Sequence, residues 1–397
     1  MRVSLPYLCV LVLAATDLVA QQPVTRAQAI EAALTRGARA AFARADTAAA
    51  AALLHGVRLY PNPLVSAAYS KDPPHYHVLA DLPLDWPWLR SPRIGAAAAA
   101  RDAARFGFAF ERAAIRFDVD TTYTRALAAE AHARLSRHNA LDADSLFAMA
   151  RLRRAVGDVS ELEVRLAEVN AGQLENIALD DSLGAVEAVL AVQLAMGGSG
   201  TDPSILLADS LLPPADTVPA APGELLPVAA AAASLRAENR ALTLAHRNVF
   251  AAPSLQIGFD TDDPGGQRGL LPTVGISLPL PLFNRNGGEV AQARASRARA
   301  QANLDLVARQ SGAEWTRVQR DLTAATNRLA RDRRLLTSAE RVAGMSVQAY
   351  TEGAVALANV LEAQRSAREA LGRYIDDVAA VNNAAAAVRL LAATVEP

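Results

Sequence analysis

At two places in this chain an alternating, strand-like pattern gives way to a very long helical one. Residues 278–293 read Leu-Pro-Leu-Pro-Leu-Phe-Asn-Arg-Asn-Gly-Gly-Glu-Val-Ala-Gln-Ala, and 196 positions earlier residues 82–97 read Leu-Pro-Leu-Asp-Trp-Pro-Trp-Leu-Arg-Ser-Pro-Arg-Ile-Gly-Ala-Ala. The same offset of 196 carries Gly157 onto Gly353, Val164 onto Val360 and Ala167 onto Ala363. Upstream, Pro63-Leu-Val-Ser-Ala-Ala-Tyr matches Pro253-Ser-Leu-Gln-Ile-Gly-Phe at an offset of 190, which puts six extra residues of the second copy in the loop before its exit. The chain therefore reads as two copies of strand, loop, strand, long helix, tip, long helix, each far longer than an ordinary solenoid repeat.

That duplication sets the expected boundaries. Residues 1–20, with Arg2, a short apolar run and small residues before Gln21, read as a signal peptide. Residues 21–197 form a first repeat, with a helix from Val24 to Leu54, a strand hairpin over about 63–84 and a long helix pair over about 93–196. The Pro- and Gly-rich residues 198–227 are a connector with at most short structure, such as an apolar turn at Ile205 to Leu207. Residues 228–397 form the second repeat, with a helix, a hairpin over about 253–279 and a helix pair over about 288–392.

In the hairpins, Val65, Ala67 and Tyr69 and then Tyr76, Val78, Ala80 and Leu82 alternate with smaller or more polar residues. Leu255, Ile257 and Phe259 and then Val274, Ile276 and Leu278 repeat the pattern. A strand with lipid on one side and water on the other alternates in this way, and so does a half-buried soluble hairpin. Two hairpins cannot close a barrel alone, and open edges are not tolerated in a bilayer, so a membrane reading needs several chains. Pro83 and Pro87, like Pro279 and Pro281, then stop the ladder and mark the exit from strand to helix.

The helical stretches run for roughly sixty residues, or ~90 Å. Trp315, Val318, Leu322, Ala325, Leu329, Leu336 and Ala343 recur at a spacing of three and four, as do Leu371, Tyr374, Val378, Val381, Ala385 and Val388. These are coiled-coil seams. Aromatics are only 5% of the chain and most apolar residues are Ala, which suits thin, closely packed helices more than a thick core.

Recognisable chemistry is sparse. There is no phosphate-binding glycine loop, no zinc-protease or nucleophile-elbow motif, and a single cysteine, Cys9, so neither a cofactor nor a metal site is expected. His75 and His77 share a strand face, but two ligands make a weak metal site and a solvated rim position explains them as well. A net charge of −1 gives no reason to propose nucleic acid as a partner. No run of ~20 apolar residues is present to span a membrane as a helix.

The ordered set Tyr60-Pro-Asn-Pro63, strand hairpin, Leu-Pro exit ending Phe283-Asn-Arg285, helix from Gly288-Glu-Val-Ala-Gln-Ala293, tip Tyr350-Thr-Glu-Gly353 and Val360-Leu-Glu-Ala-Gln364 resembles the TolC-type outer-membrane efflux proteins. The resemblance implies a mainly α fold with a small β part. In it, a long antiparallel coiled-coil tunnel hangs below a 12-stranded outer-membrane barrel to which each chain of a homotrimer gives four strands. It implies contact with outer-membrane lipid, a periplasmic adaptor and an inner-membrane transporter; an enzyme is not expected, for want of catalytic groups in the sequence. It places the adaptor at the tips, Arg153, Arg154 and Gly157 in one copy and Tyr350, Glu352 and Gly353 in the other. It also places an acidic constriction at Glu362, with Asn359 where a further acid often stands. The rival reading is a secreted periplasmic coiled-coil scaffold without a pore, which accounts for the seams but not for the paired strands and exits.

Overall fold

The computed structural model describes residues 22–72, 74–214, 224–249, 252–262, 265–266 and 268–393, so the expected signal peptide lies outside the described residues. The first repeat runs β1 (Gln22–Val24), α1 (Arg26–Arg36), α2 (Ala38–Arg58), β2 (Leu64–Tyr69), β3 (Tyr76–Pro83), α3 (Pro87–Ala155) and α4 (Glu161–Ala195). A short strand β4 (Ile205–Leu207) follows, and then α5 (Leu226–Arg247), β5 (Ser254–Thr261), β6 (Leu270–Ser277), α6 (Gly287–Thr351) and α7 (Leu357–Leu391). Helices α3 and α6 end 196 residues apart, and α4 and α7 both begin and end 196 residues apart.

Local chemistry accounts for the boundaries. Thr25 and Gln28 form a reciprocal capping box that starts α1. Gly37 separates α1 from α2, and a Cβ there would lie 2.3 Å from the Ala33 carbonyl oxygen. The exit prolines divide into two kinds. Pro279 and Pro281 follow β6 in irregular chain, as their sequence suggests. Pro83, by contrast, is the last paired residue of β3, opposite Ser254. Pro87 opens α3, where its fixed φ suits the helix and its missing N–H leaves nothing unsatisfied. The first long helix thus starts six residues before the expected Arg93, and Pro92 lies inside its second turn.

The sheet order is β2-β3-β5-β6, antiparallel throughout. Its register gathers the alternating apolar residues onto one face: Ala67 pairs with Val78 and Val78 with Phe259, while Val65 pairs with Ala80, Ala80 with Ile257 and Ile257 with Val274. The other face carries His77, Asp260 and Thr273, linked at 2.9 Å each, and Asp81 beside Gln256. Among the described residues no helix is packed along this sheet. Val65, Val274 and Ile276 remain 66, 73 and 75% exposed on its apolar face. Both β2 and β6 are free edges.

The long helices pack side by side in a wall, with α1 laid on α2 and α3. In the half near the sheet the order is α2, α3, α5, α6; in the far half it is α4, α3, α7, α6. The expected seam closes there, with Ala325 and Leu329 packed on Val378 and Val381, and Val318 on Val388 and Leu391. Helix α7 is also held to α3, where His132 Nε2 lies 2.9 Å from Asp376.

Around the middle, a belt ties the ends of the repeats together. The connector does more than turn: β4 pairs in parallel with β1. The Tyr123 hydroxyl of α3 donates to the Val24 carbonyl at 2.8 Å and accepts from the Asp209 N–H, while the Arg26 N–H donates to the Asp209 carboxylate at 2.7 Å. Farther along, Asn382 of α7 donates to the Leu212 carbonyl. Asp120, buried on α3, receives both Arg26 and Arg389, joining the start of the first repeat to the end of the second.

Tyr123 is fully buried, and burial pushes its phenol pKa up to about 12. Because the folded value is raised, the unfolded chain loses this proton first as pH rises, so the stabilisation held below pH ~10 is lost between about pH 10 and 12. Thermal melts of Tyr123→Phe should therefore fall less steeply than wild type across that window. At pH 7 the variant should be less stable by about 1 kcal/mol for the lost hydrogen bonds. Parallel alkaline curves for the two proteins would refute the assignment.

Candidate functional site

The two hairpin turns at the far end of the wall are built alike. Beyond α3, Gly157 adopts φ +82; its N–H donates to the Arg154 carbonyl at 3.0 Å and the Asp158 N–H to the Arg153 carbonyl at 2.9 Å. Beyond α6, Gly353 adopts φ +75, with its N–H on the Tyr350 carbonyl at 3.0 Å and the Ala354 N–H on the Ala349 carbonyl at 2.8 Å. Both are Schellman caps, which require a residue without a Cβ penalty at the left-handed position. On the far side Ser160 caps α4, accepting from the Glu163 N–H, and Glu161 and Glu163 complement the helix's positive end.

One arginine joins the two turns. Arg153 donates through Nε to the Asp158 carboxylate at 2.8 Å and through Nη1 to the Tyr350 carbonyl at 2.8 Å, and its guanidinium lies 4.7 Å from the Tyr350 ring centroid. Its hydrogen bond to Asp158 holds its pKa above the ordinary arginine value. Tyr350 is 1% exposed among Leu146, Ala150, Ala167, Leu357 and Val360, and burial raises its pKa as well. The other sequence-derived tip residues are not part of this contact. Arg154 reaches the Val159 carbonyl of its own turn at 3.4 Å, and Glu352 is exposed, accepting from Gln348 at 3.0 Å.

Asn359 and Glu362 lie in the first two turns of α7, where the buried Leu357 and Val360 fix the helix against its neighbours and leave both polar side chains exposed. Glu362 has no ion-pair partner among the described residues of this chain, whereas Arg365, one turn on, is taken by Glu369 at 3.0 Å. The spacing supplies one acid per chain and a solvent-facing direction.

The histidine pair at the sheet does not converge. His75 Nδ1 lies 3.3 Å from the Ser70 carbonyl oxygen and His77 Nδ1 2.9 Å from Asp260. Among the described residues no three His, Cys, Asp or Glu side chains are grouped as a metal would need. No described helix is long and apolar enough to cross a membrane. Sequence reading missed the Arg153–Tyr350 contact and the Arg26–Asp120–Arg389 cluster. The first had a signal, because Arg154 and Tyr350 are equivalent positions of the two repeats and an arginine stands next to one of them.

No protein-family model matches the chain. The chain is 26% identical over 313 residues to the cobalt-zinc-cadmium resistance protein CzcC of Cupriavidus metallidurans, covering 74% of this chain and 71% of that protein. Among solved structures, a membrane protein of Pseudomonas aeruginosa superposes with a TM-score of 0.77 at 20% identity, covering 92% of this chain and 93% of that one. CusC gives 0.76 at 16% identity, over 92 and 91%. The outer-membrane protein VceC of Vibrio cholerae gives 0.74 at 17% identity, over 94 and 97%.

The caps allow a graded test. At Gly157 a Cβ meets nothing within 4 Å, so Gly157→Ala should cost only the left-handed backbone strain, about 1 kcal/mol. Arg153→Ala removes the link between the turns as well. Hydrogen exchange should rise only around residues 153–159 in Gly157→Ala, but in both turns in Arg153→Ala, with the sheet unchanged. Exchange confined to the first turn in both variants would mean that the two tips are not joined.

Proposed function

The chain has the fold of the TolC-type outer-membrane channels, and we propose from it that the protein is the exit duct of a tripartite export system. In this reading three chains close a 12-stranded barrel in the outer membrane, and the helical walls close into a periplasmic tunnel docked at its tips to an adaptor and an inner-membrane transporter. The observation that carries the proposal is the bare sheet: one continuous apolar face, one polar face and two free edges. Water suits the polar face and hydrocarbon the apolar one, but hydrocarbon leaves no edge unpaired. The only remedy is more copies of the same sheet, edge to edge.

Copy number follows from the strands. Two chains would make eight, and an eight-stranded barrel is filled by its own side chains; three make twelve and leave an aqueous bore. The helices support the same closure. The wall ends in α2 and α4 on the side of β2 and in α6 on the side of β6, so a neighbour that pairs β6 with β2 also brings α6 against α2 and α4. Leu162, Leu166, Val169, Leu179 and Leu183 are exposed on α4, and Leu306, Leu335 and Val342 on α6. A soluble scaffold would leave both these helices and the sheet uncovered.

At the far end the proposal gives the tips to the adaptor and Glu362 to the narrowest point. Three chains would there present three carboxylates, with Asn359 supplying hydrogen-bonding groups but no further charge. Such a ring draws cations and is bridged best by multivalent ones. The cargo would be set by the transporter. The name of the C. metallidurans relative makes cobalt, zinc and cadmium the first ions to test.

Three outcomes are expected. The protein should need detergent for extraction and run as a heat-modifiable trimer; a fully buffer-soluble chain after signal removal would sink the proposal. Cysteines at Asp72→Cys and Gly266→Cys, in the loops between paired strands, should be labelled on intact cells while Gly353→Cys is not. In planar bilayers the wild type should be cation-selective and blocked by multivalent cations from the tip side, and Glu362→Gln should lose most of both properties. Unchanged selectivity and block would place Glu362 outside the bore.

A further inference from the structure

Between α1, α3, α5 and the end of α7 lies an open cavity of about 930 Å³ that no part of the channel reading uses. Its lining combines two chemistries. Phe106, Phe108 and Phe117 of α3 give it an apolar floor, and arginines from three helices surround that floor. Among the described residues two carboxylates line it, and both are engaged: Asp120 by Arg26 and Arg389, and Asp102 by Arg101. Arg105 and Arg116 of α3 and Arg236 of α5 make no ion pair with any described residue, and Arg236 lies 5.9 Å from the Phe106 ring centroid. Guanidinium groups left over beside half-buried phenyl rings, in a concavity of ligand size, form an anion trap with a hydrophobic seat.

We infer that this cavity binds an amphiphilic anion: an apolar, ring-sized or chain-like body carrying a phosphate, sulfonate or carboxylate. The anionic group would sit by Arg105 and Arg236, which can each offer paired donors to a planar or tetrahedral oxyanion, with Arg116 about 16 Å farther along α3 at the other end of the cavity. The body would lie on the phenylalanines. The ligand is a soluble one. Asp102 and Asp120 are 15 and 33 residues beyond Pro87 on a continuous helix, which puts the cavity roughly 20–50 Å from the barrel end, out of reach of lipid in the bilayer. A neighbouring chain does not cover it, because α3, α5 and α7 are interior to the wall and the proposed contacts between chains fall on α2, α4 and α6. Bound there, the anion would bridge the helix that leads to the barrel, α5, and the one that comes from the tip, α7, across the break between them.

The test is equilibrium dialysis of the purified full chain in a nonionic detergent, with 1-naphthyl phosphate as probe and 1-naphthol as its uncharged counterpart. Saturable binding of one phosphate ester per chain is expected, with the naphthol at least about tenfold weaker, as the loss of charge-assisted hydrogen bonds implies. Arg105→Gln with Arg236→Gln should weaken the ester by about tenfold or more with little change in melting temperature, since neither side chain has an ion-pair partner among the described residues and Arg236 gives up only its contact with the Phe106 ring. Arg294→Gln with Arg299→Gln, on exposed α6 surface, should leave it unchanged. Absence of saturable binding, equal binding of the naphthol, or an unaffected cavity variant would each overturn the inference. Binding by the isolated chain does not depend on whether it conducts ions, so this result and the channel recordings stand or fall separately.

Discussion

A strand in hydrocarbon cannot leave its edge groups unpaired, and much of this molecule answers to that constraint. In the proposed reading, four strands with one oily face and one polar face cannot stand singly in lipid, so the sheet calls for further copies of the chain. The duplication is the economical way to make such a sheet: one hairpin with its exit and helix pair, made twice, gives a wall whose two flanks differ and can therefore meet head to tail. The long helices then follow. In the proposed assembly they carry the ring of chains away from the membrane as a tube, and small residues such as Ala126, Ala133, Ala143 and Ala150, all buried on α3, let the helices pack closely.

Most of this was legible because it is periodic. Val318, Ala325, Leu329, Val378 and Val388 fall on the seam that their spacing defines, and all are buried. The strand alternation survives into the register, where it becomes a single apolar face. What was not legible is what periodicity does not encode. The pairing of β1 with β4 joins two three-residue segments some 180 positions apart, each too short to carry a pattern, and it depends on the Tyr123 hydroxyl between them. The Arg26–Asp120–Arg389 cluster unites three helices and has no local signature at all. Pro83 and Pro87 were read as one signal because sequence marks where proline stands but not which of its properties is in use. Pro83 needs only to accept, at the end of a ladder, while Pro87 supplies a preset φ to a first turn.

At the tips, sequence located the caps but not the contact between them. Two glycines 196 residues apart announce two turns; only the fold brings Arg153 of one against the ring and carbonyl of Tyr350 of the other. The pair is asymmetric, since the duplicated positions no longer hold the same residues. Divergence between the copies has therefore been spent on joining them, and the same is true at the middle, where the connector of one repeat is strapped to the last helix of the other.

That middle belt has a mechanical meaning. Beyond it α4 and α7 each run 35 residues to the tips, roughly 50 Å, and are held to α3 and α6 by side-chain seams, with no strand ladder to stiffen them. A hairpin of this length would act as a lever about the belt, and a tilt of one degree there would carry its end through about 1 Å. In the proposed tunnel, small rotations at the waist would therefore be magnified at the tips and leave the sheet on the other side of the belt still.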